Sequence, residues 1–395
     1  MGDKAFLSGN EAVAEGVRLA SPHVIAAYPI TPQTVVVERL AEMVEDGRLK
    51  AEFLHVESEH SALSACMGAA SIGARTFTAT SSQGLLYMAE CLHYASGGRF
   101  PIVMMNANRS LALPWSIYGD HRDSLSQLDC GWIQIYVEDA QESLDMVIQA
   151  YKIAENPKVL TPVMINLDGF VLTHTYEPVD IPLKEEVDKF LPPFETPYKM
   201  DLENPKNMGF SSSPSDNTEF KYLQHKAILD AKEVIKEVDS SFKKAFGRNY
   251  GGLVDAYLCE DAEFIMISLG STTGTCRAVV DELRWEGFKA GVLKIRFMRP
   301  FPEEEIVEIT KNAKAVGVID RDISFGYEGT VFTNVNSALL KAGVDVKSVN
   351  FIAGLGGRDI SKESIREAFH DLREVALGTL KKWFKFLSLG VSIDE

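Results

Sequence analysis

The sequence contains no CxxC pair. Its five cysteines, Cys66, Cys91, Cys130, Cys259 and Cys276, are scattered over 395 residues, which excludes the usual spacing of zinc or iron–sulfur ligands within this chain. Isolated thiols of this kind read as buried side chains in a reducing compartment. Neither G-x-G-x-x-G after a strand nor G-x-x-x-x-G-K-[ST] is present, so a dinucleotide fingerprint and a phosphate loop are both unsupported. G-x-S-x-G and H-E-x-x-H are missing too, which leaves a self-contained hydrolase or metalloprotease without its nucleophile or ligands. No apolar stretch approaches the ~20 residues needed to cross a bilayer. The opening "MGDKAFLSGNEAV" carries neither a basic, apolar-cored leader nor a myristoylation signal; the expected location is cytoplasmic. Positive charge is scarce as well. Forty Lys and Arg against 56 Asp and Glu leave a formal charge of −16, which argues against nucleic acid as a partner.

What is there is an α/β pattern. From 24 to 169, short apolar runs alternate with amphipathic or Ala-rich segments: "VIAAYPI", "AEFLHVE", "RTFTATS", "PIVMMNA", "IQIYVED" and "VLTPVMINL" read as strands. Helical spacing falls between them at 33–46, 59–72, 83–96 and 140–155, the last placing Leu144, Val147, Ile148 and Tyr151 on one face. Strands separated by single helices predict a parallel sheet covered on both sides, with ligands at the strand ends. Around 175–255 the chain turns rich in proline and polar residues, with one helix near 219–246. From 262 a second alternation begins, with "EFIMISLGS" and "KAGVLKIRF" as strands. The expected division is 1–180, an extended connector over 181–257, and a second α/β domain over 258–395.

Three stretches carry candidate chemistry. In "AYPITPQT" (26–33) two prolines stiffen the turn that follows a strand and hold Thr31 between them. In "HVESEHSALSACMGAASIGARTFTATSSQG" (55–84), Glu59 opens an Ala/Ser/Gly-rich helix. An acid there either answers the helix dipole from solvent or is kept dehydrated beside a ligand. In "NANRSLALPWSIYGDHRDSLSQ" (106–127), Arg109, Asp120, His121, Arg122 and Asp123 crowd a loop with Trp115, Ile117 and Tyr118. Those aromatic and apolar side chains predict that the loop folds against something. An arginine just beyond a strand can fork onto a carboxylate.

Taken together, "YPITPQT", "SEHSALSACMGAASIGARTFTATSSQG", "NRSL…DHRDS", "GWIQIYVEDAQESLD" and "GFVLTHTYEPV" make the chain similar to the α subunits of the 2-oxoacid:ferredoxin oxidoreductases, thiamine-diphosphate enzymes of the pyruvate and oxalate oxidoreductase group. The resemblance spans nearly the whole chain and implies a pyrimidine-type thiamine-diphosphate-binding domain with a parallel sheet. "MRPFP" and "GLGGRD" resemble that family's transketolase-C-terminal-like α/β domain. By the same resemblance, Glu59 matches the glutamate on the aminopyrimidine ring, favouring the imino tautomer that takes the thiazolium proton. Thr31 and Arg109 match the hydroxyl and guanidinium that hold the substrate carboxylate. Tyr28, Pro29 and Ser82 fall on the cofactor side, and Asp120, Arg122 and Asp123 on the substrate side. The family's G-D-G…N site is missing here. Mg²⁺, the diphosphate site and the [4Fe-4S] clusters are therefore expected on β and γ/δ-type partner subunits, with ferredoxin as acceptor.

The loop departs from pyruvate-type relatives, which often read N-D-H-Q-D where this chain has "GDHRD". An added cation, Arg122, beside Arg109 favours a substrate with more negative charge, and oxalate is preferred over pyruvate on that ground. Pyruvate with coenzyme A remains the alternative, and a transketolase-like transferase without a redox partner the distant one.

Overall fold

The computed structural model describes residues 2–209, 211–381 and 383–390. All six strands expected before residue 169 lie in one sheet. Their spatial order is Glu52–His55, Val24–Ala27, Thr76–Thr80, Val103–Asn108, Val163–Asp168 and Ile133–Tyr136, all parallel. Crossover helices cover both faces. Val103 and Met105 join Ile25 and Phe77 in a core under the helices Gly9–Ala20 and Ala140–Ala154. Met104 points the other way, to Leu63, Leu92 and Trp132 under Glu59–Ser71 and Ala89–Gly97. Burial on both faces is why the inner strands carry no charged side chain before their last residue, whereas the edge strand Glu52–His55 is largely exposed.

A second sheet is built from Phe384–Phe386, Lys347–Ile352, Ala315–Asp320, Phe264–Ser268 and Ala290–Ile295, parallel, with Val254–Tyr257 antiparallel at one edge. Asp3–Ser8 and Tyr176–Ile181 form a small antiparallel pair of their own. Between 181 and 257 lie a short helix, Lys184–Phe190, and a long one, Pro214–Phe246. The long helix starts earlier than its apolar periodicity suggests. Ser213 caps it, accepting from the Asp216 amide at 3.2 Å, and Pro214 supplies a preset first turn.

The stretch "KAGVLKIRF", expected as one strand, is divided. Ala290–Ile295 belongs to the second sheet, whereas Phe297–Arg299 crosses over and pairs antiparallel with Ile133–Tyr136 at the edge of the first. The hinge is Arg296, whose buried guanidinium donates to Glu142 Oε1 at 2.9 Å, while Lys294 donates to Oε2 at 2.5 Å. Burial alone would push the Glu142 carboxyl up, but Lys294 and Arg296 outweigh it and hold the group at about 2. Three charges are thus taken out of water at the seam between the sheets, tolerable only because they are matched.

Candidate active site

The carboxyl ends of the first sheet's strands converge on Thr31, Glu59, Ser82 and Arg109. The proline turn after Val24–Ala27 is braced from behind. Gln33 Nε2 donates to the Tyr28 carbonyl at 2.8 Å and the Ala79 carbonyl at 3.2 Å, and Asn10 Nδ2 donates to the Pro32 carbonyl at 2.8 Å. Neither Gln33 nor Asn10 stood out in the sequence, since a buried amide has no spacing signature. So held, Tyr28, Pro29 and Thr31 present exposed side chains, and the Thr31 hydroxyl has no hydrogen bond among the described residues.

Arg109 follows the strand Val103–Asn108 directly. Its Nη1 donates to the Thr31 carbonyl at 2.7 Å and its Nη2 to Gln83 Oε1 at 3.3 Å, and its buried Nε has no partner. Only 7% of the residue is exposed, and it makes no ion pair among the described residues. Burial pulls its pKa down, against the attraction of Asp123 and Glu59. The guanidinium is therefore a buried cation held by neutral acceptors, with donors left over for an anion.

Glu59 is the first residue of its helix, which Ser58 caps by accepting from the Ser61 amide at 3.2 Å. The residue is 8% exposed, yet its carboxylate makes no hydrogen bond among the described residues. Gly84 explains how the space is made. A Cβ there would lie 2.6 Å from Glu59 Oε1 and 2.7 Å from Thr80 Oγ1. The Thr80, Ser81 and Gln33 side-chain oxygens nearby are buried and unpartnered as well. A carboxylate without a partner on a residue only 8% exposed, beside unsatisfied polar oxygens, fits the polar edge of an aminopyrimidine, because buried polar groups are ordinarily paired. These residues would hold one of the two ends of thiamine diphosphate. The donor set does not fit an iron–sulfur cluster. The cysteines are buried apart, and burial pushes Cys66, Cys130, Cys259 and Cys276 up to about 12, far from the thiolate such clusters require.

Several expected substrate contacts lie behind the site rather than in it. Asp123 is fully buried and accepts from the Ser82 amide at 3.0 Å, the Arg109 amide at 3.1 Å, Asn108 Nδ2 at 2.8 Å, Asn106 Nδ2 at 3.3 Å and its neighbour Ser124 N at 2.8 Å. It fastens the backbone of two site residues and has no oxygen left for a substrate. Its grip on Ser82 matters because Ser82 is held at φ +52°, a conformation that costs a non-glycine residue energy and needs surrounding support. The Ser82 hydroxyl donates inward to the Ser110 carbonyl at 2.8 Å, so it too is turned away from a cofactor. Asp120 is also fully buried, taking the Gly356 amide at 2.9 Å and Arg122 Nε at 3.0 Å. Arg122 is consequently spent on Asp120. It lines a separate 530 Å³ recess with Leu113, Asp322 and Phe325, not with Arg109 or Glu59. Nor does the loop bury its apolar side chains within the chain. Trp115 is 71% exposed, and Phe325 across the recess 81%.

With this geometry in hand, the chain was compared with known proteins. A model described as "Pyruvate flavodoxin/ferredoxin oxidoreductase, thiamine diP-bdg" matches residues 15–240. The chain belongs to this family. A second model, "Pyruvate:ferredoxin oxidoreductase core domain II", matches residues 262–365. Among curated members, "Pyruvate synthase subunit PorA" of Methanothermobacter thermautotrophicus is 50% identical, covering 91% of this chain and 93% of the relative. "Ketoisovalerate oxidoreductase subunit VorA" of Pyrococcus horikoshii is 46% identical, with 94% of each chain covered. The solved 2-oxoglutarate:ferredoxin oxidoreductase from Magnetococcus marinus shares the fold with a TM-score of 0.73 at 19% identity, covering 95% of this chain and 66% of that one. Its membership makes the chain an α-type subunit of a thiamine-diphosphate-dependent 2-oxoacid:ferredoxin oxidoreductase, the enzyme class expected from the motifs. The preference for oxalate is not supported. Arg122 is neutralised by Asp120, and these relatives are named for pyruvate and ketoisovalerate.

Proposed function

We propose that this subunit acts on a small monocarboxylic 2-oxoacid, pyruvate first. Pyruvate and coenzyme A would give acetyl-coenzyme A and CO₂, two electrons passing over iron–sulfur clusters to ferredoxin and one proton being released. One observation carries the choice. Arg109 is the single site cation without a carboxylate partner among the described residues, and one guanidinium matches one carboxylate. Oxalate would bring two anionic groups to that one cation.

Bound thiamine diphosphate supplies the nucleophilic carbon and the electron sink. The chain's own residues bind and orient. Arg109 takes the substrate carboxylate in its fork, with the exposed Thr31 hydroxyl as a further donor, and both are pinned before substrate arrives. Glu59 meets the aminopyrimidine edge, a role its unpaired carboxylate suits. The absence of a G-D-G…N segment supports assigning the diphosphate and Mg²⁺ to a β-type partner, and the redox clusters to others. The apolar rim of Leu113, Trp115, Ile117 and Phe325 is the kind of patch a partner subunit covers.

The test is an anaerobic assay of the assembled complex following dye reduction. It compares pyruvate plus coenzyme A, 2-oxoisovalerate plus coenzyme A, and oxalate alone. The reading expects coenzyme A-dependent reduction with pyruvate to exceed the others in kcat/KM. Faster, coenzyme A-independent turnover of oxalate would overturn it, and a preference for 2-oxoisovalerate would move the assignment to branched substrates.

A further inference from the structure

The mechanism leaves unused a dense polar junction between the second sheet and the substrate loop. At its centre is Asp168, the last residue of Val163–Asp168 and the register partner of Asn108, which immediately precedes Arg109. Oδ1 of Asp168 meets Arg321 Nη1 at 2.5 Å and His121 Nε2 at 2.6 Å. Oδ2 accepts from the Ser271 amide at 2.7 Å and its hydroxyl at 2.6 Å. A Cβ on Gly270 would stand 2.6 Å from the same oxygen, so this approach demands glycine. Although burial opposes ionisation of Asp168, these partners hold it well below the ordinary carboxylate range.

Arg321 does more than neutralise Asp168. It follows Ala315–Asp320 of the second sheet, yet its Nη2 donates to the Gly119 carbonyl at 2.8 Å and its own carbonyl accepts the His121 amide at 2.8 Å. Two residues on, Asp123 holds the Arg109 and Ser82 amides. The path from the second sheet to the Arg109 backbone thus runs from Arg321 to Gly119 and His121, along the chain to Asp123, and from there to the Arg109 amide, through buried groups.

We propose that Arg321 is a positioning residue for the 2-oxoacid site: through Gly119, His121 and Asp123 the C-terminal half sets where Arg109 stands. This deepens the reading of Arg109 as the carboxylate holder and rests on it. The planar fork is what the task requires, since two acceptors on different segments are held at a fixed angle, whereas an ammonium reaches one. A merely structural Arg321 would be tolerant of lysine, losing stability but leaving the affinity of assembled enzyme for substrate unchanged.

The experiment compares wild-type complex with Arg321→Lys, and with Arg109→Ala as reference, in KM, kcat, thermal midpoint and thiamine diphosphate affinity. Arg321→Lys is expected to raise KM for pyruvate about tenfold, since displacement of a positioned group by an ångström is felt at that scale, with cofactor affinity and thermal midpoint near wild type. Ser271→Ala, the milder change, should shift KM the same way and serves if the lysine variant does not assemble. Arg321→Ala should recover its KM on adding millimolar guanidinium. An unchanged KM in assembled Arg321→Lys or Ser271→Ala overturns the inference while a raised KM in Arg109→Ala keeps the site reading. An unchanged KM in Arg109→Ala would instead remove the site reading itself.

Discussion

Replacing Glu59 by glutamine separates a catalytic carboxylate from a helix-capping one, because the two roles predict opposite balances of stability and turnover. As an acid in a helix's first turn, Glu59 contributes roughly 0.3–1 kcal/mol through the dipole. Against this, the residue is 8% exposed and its carboxylate has no hydrogen bond among the described residues, so partial desolvation offsets a contribution of that size. These contributions cancel or leave a net penalty, so Glu59→Gln should be as stable as wild type or more so. Glutamine keeps the volume beside Gly84 and Thr80, so packing does not confound the comparison. Turnover should fall by about 10²–10⁴, the range for a positioned proton-transfer group. The assay is anaerobic dye reduction at saturating pyruvate, coenzyme A and thiamine diphosphate, run beside thermal denaturation of the same complex. A variant that is less stable, with activity lost only in proportion to the unfolded fraction, would refute the reasoning and return Glu59 to the role of a cap.

Other expectations follow from single contacts. Gly84→Ala places a methyl 2.6 Å from Glu59 Oε1 and should weaken thiamine diphosphate binding by about tenfold or more, by cofactor titration of the depleted complex, since overpacking costs 1–3 kcal/mol; unaltered affinity would mean that the glycine does not shape the seat. Arg122→Gln should change the ratio of pyruvate to oxalate turnover by less than about fivefold, or ~1 kcal/mol, because Arg122 is held by the buried Asp120 and lines a different recess from Arg109; a larger swing would restore Arg122 to the substrate. Glu142→Gln should destabilise the chain by about 3 kcal/mol at neutral pH, leaving Arg296 buried without its anion and Lys294 with Glu138 alone, at 3.2 Å. Glu142 is depressed from 4.5 to about 2, so its stabilisation is present above pH 4.5 and is lost as pH falls toward 2. Denaturant unfolding of the two proteins should therefore converge in that window, and a constant gap would show that the carboxylate is not what stabilises the seam.

The parallel sheet was legible because its inner strands are buried on both faces, which leaves runs with few charges. The roles proposed for Arg109, Glu59 and Thr31 come from the family resemblance, while their positions near the strands' carboxyl ends were legible because these residues follow those runs. Three things were not. The split at Arg296 was hidden because the charges within "KAGVLKIRF", Lys294 and Arg296, read as ordinary polar positions of one strand, while their partner Glu142 lies 152 and 154 residues away in sequence. Gln33 and Asn10 brace the proline turn through amides whose partners lie far away in sequence. Asp120, Arg122 and Asp123 were read as site charges because a charged loop resembles a ligand cage. In the fold, Asp123 gathers backbone amides and Arg122 answers Asp120. Charge density along a chain does not say which groups face inward.

The strand Phe297–Arg299 gives the polypeptide an order of completion. The outer margin of the first sheet, at Ile133–Tyr136, stays bare until more than 160 further residues have been synthesised, since its neighbour is encoded so far downstream. An open margin of that kind invites pairing with other chains. A gene cut in the connector would therefore yield an N-terminal fragment prone to self-association. Supplying residues from 254 onward in trans should suppress that tendency by returning the missing strand.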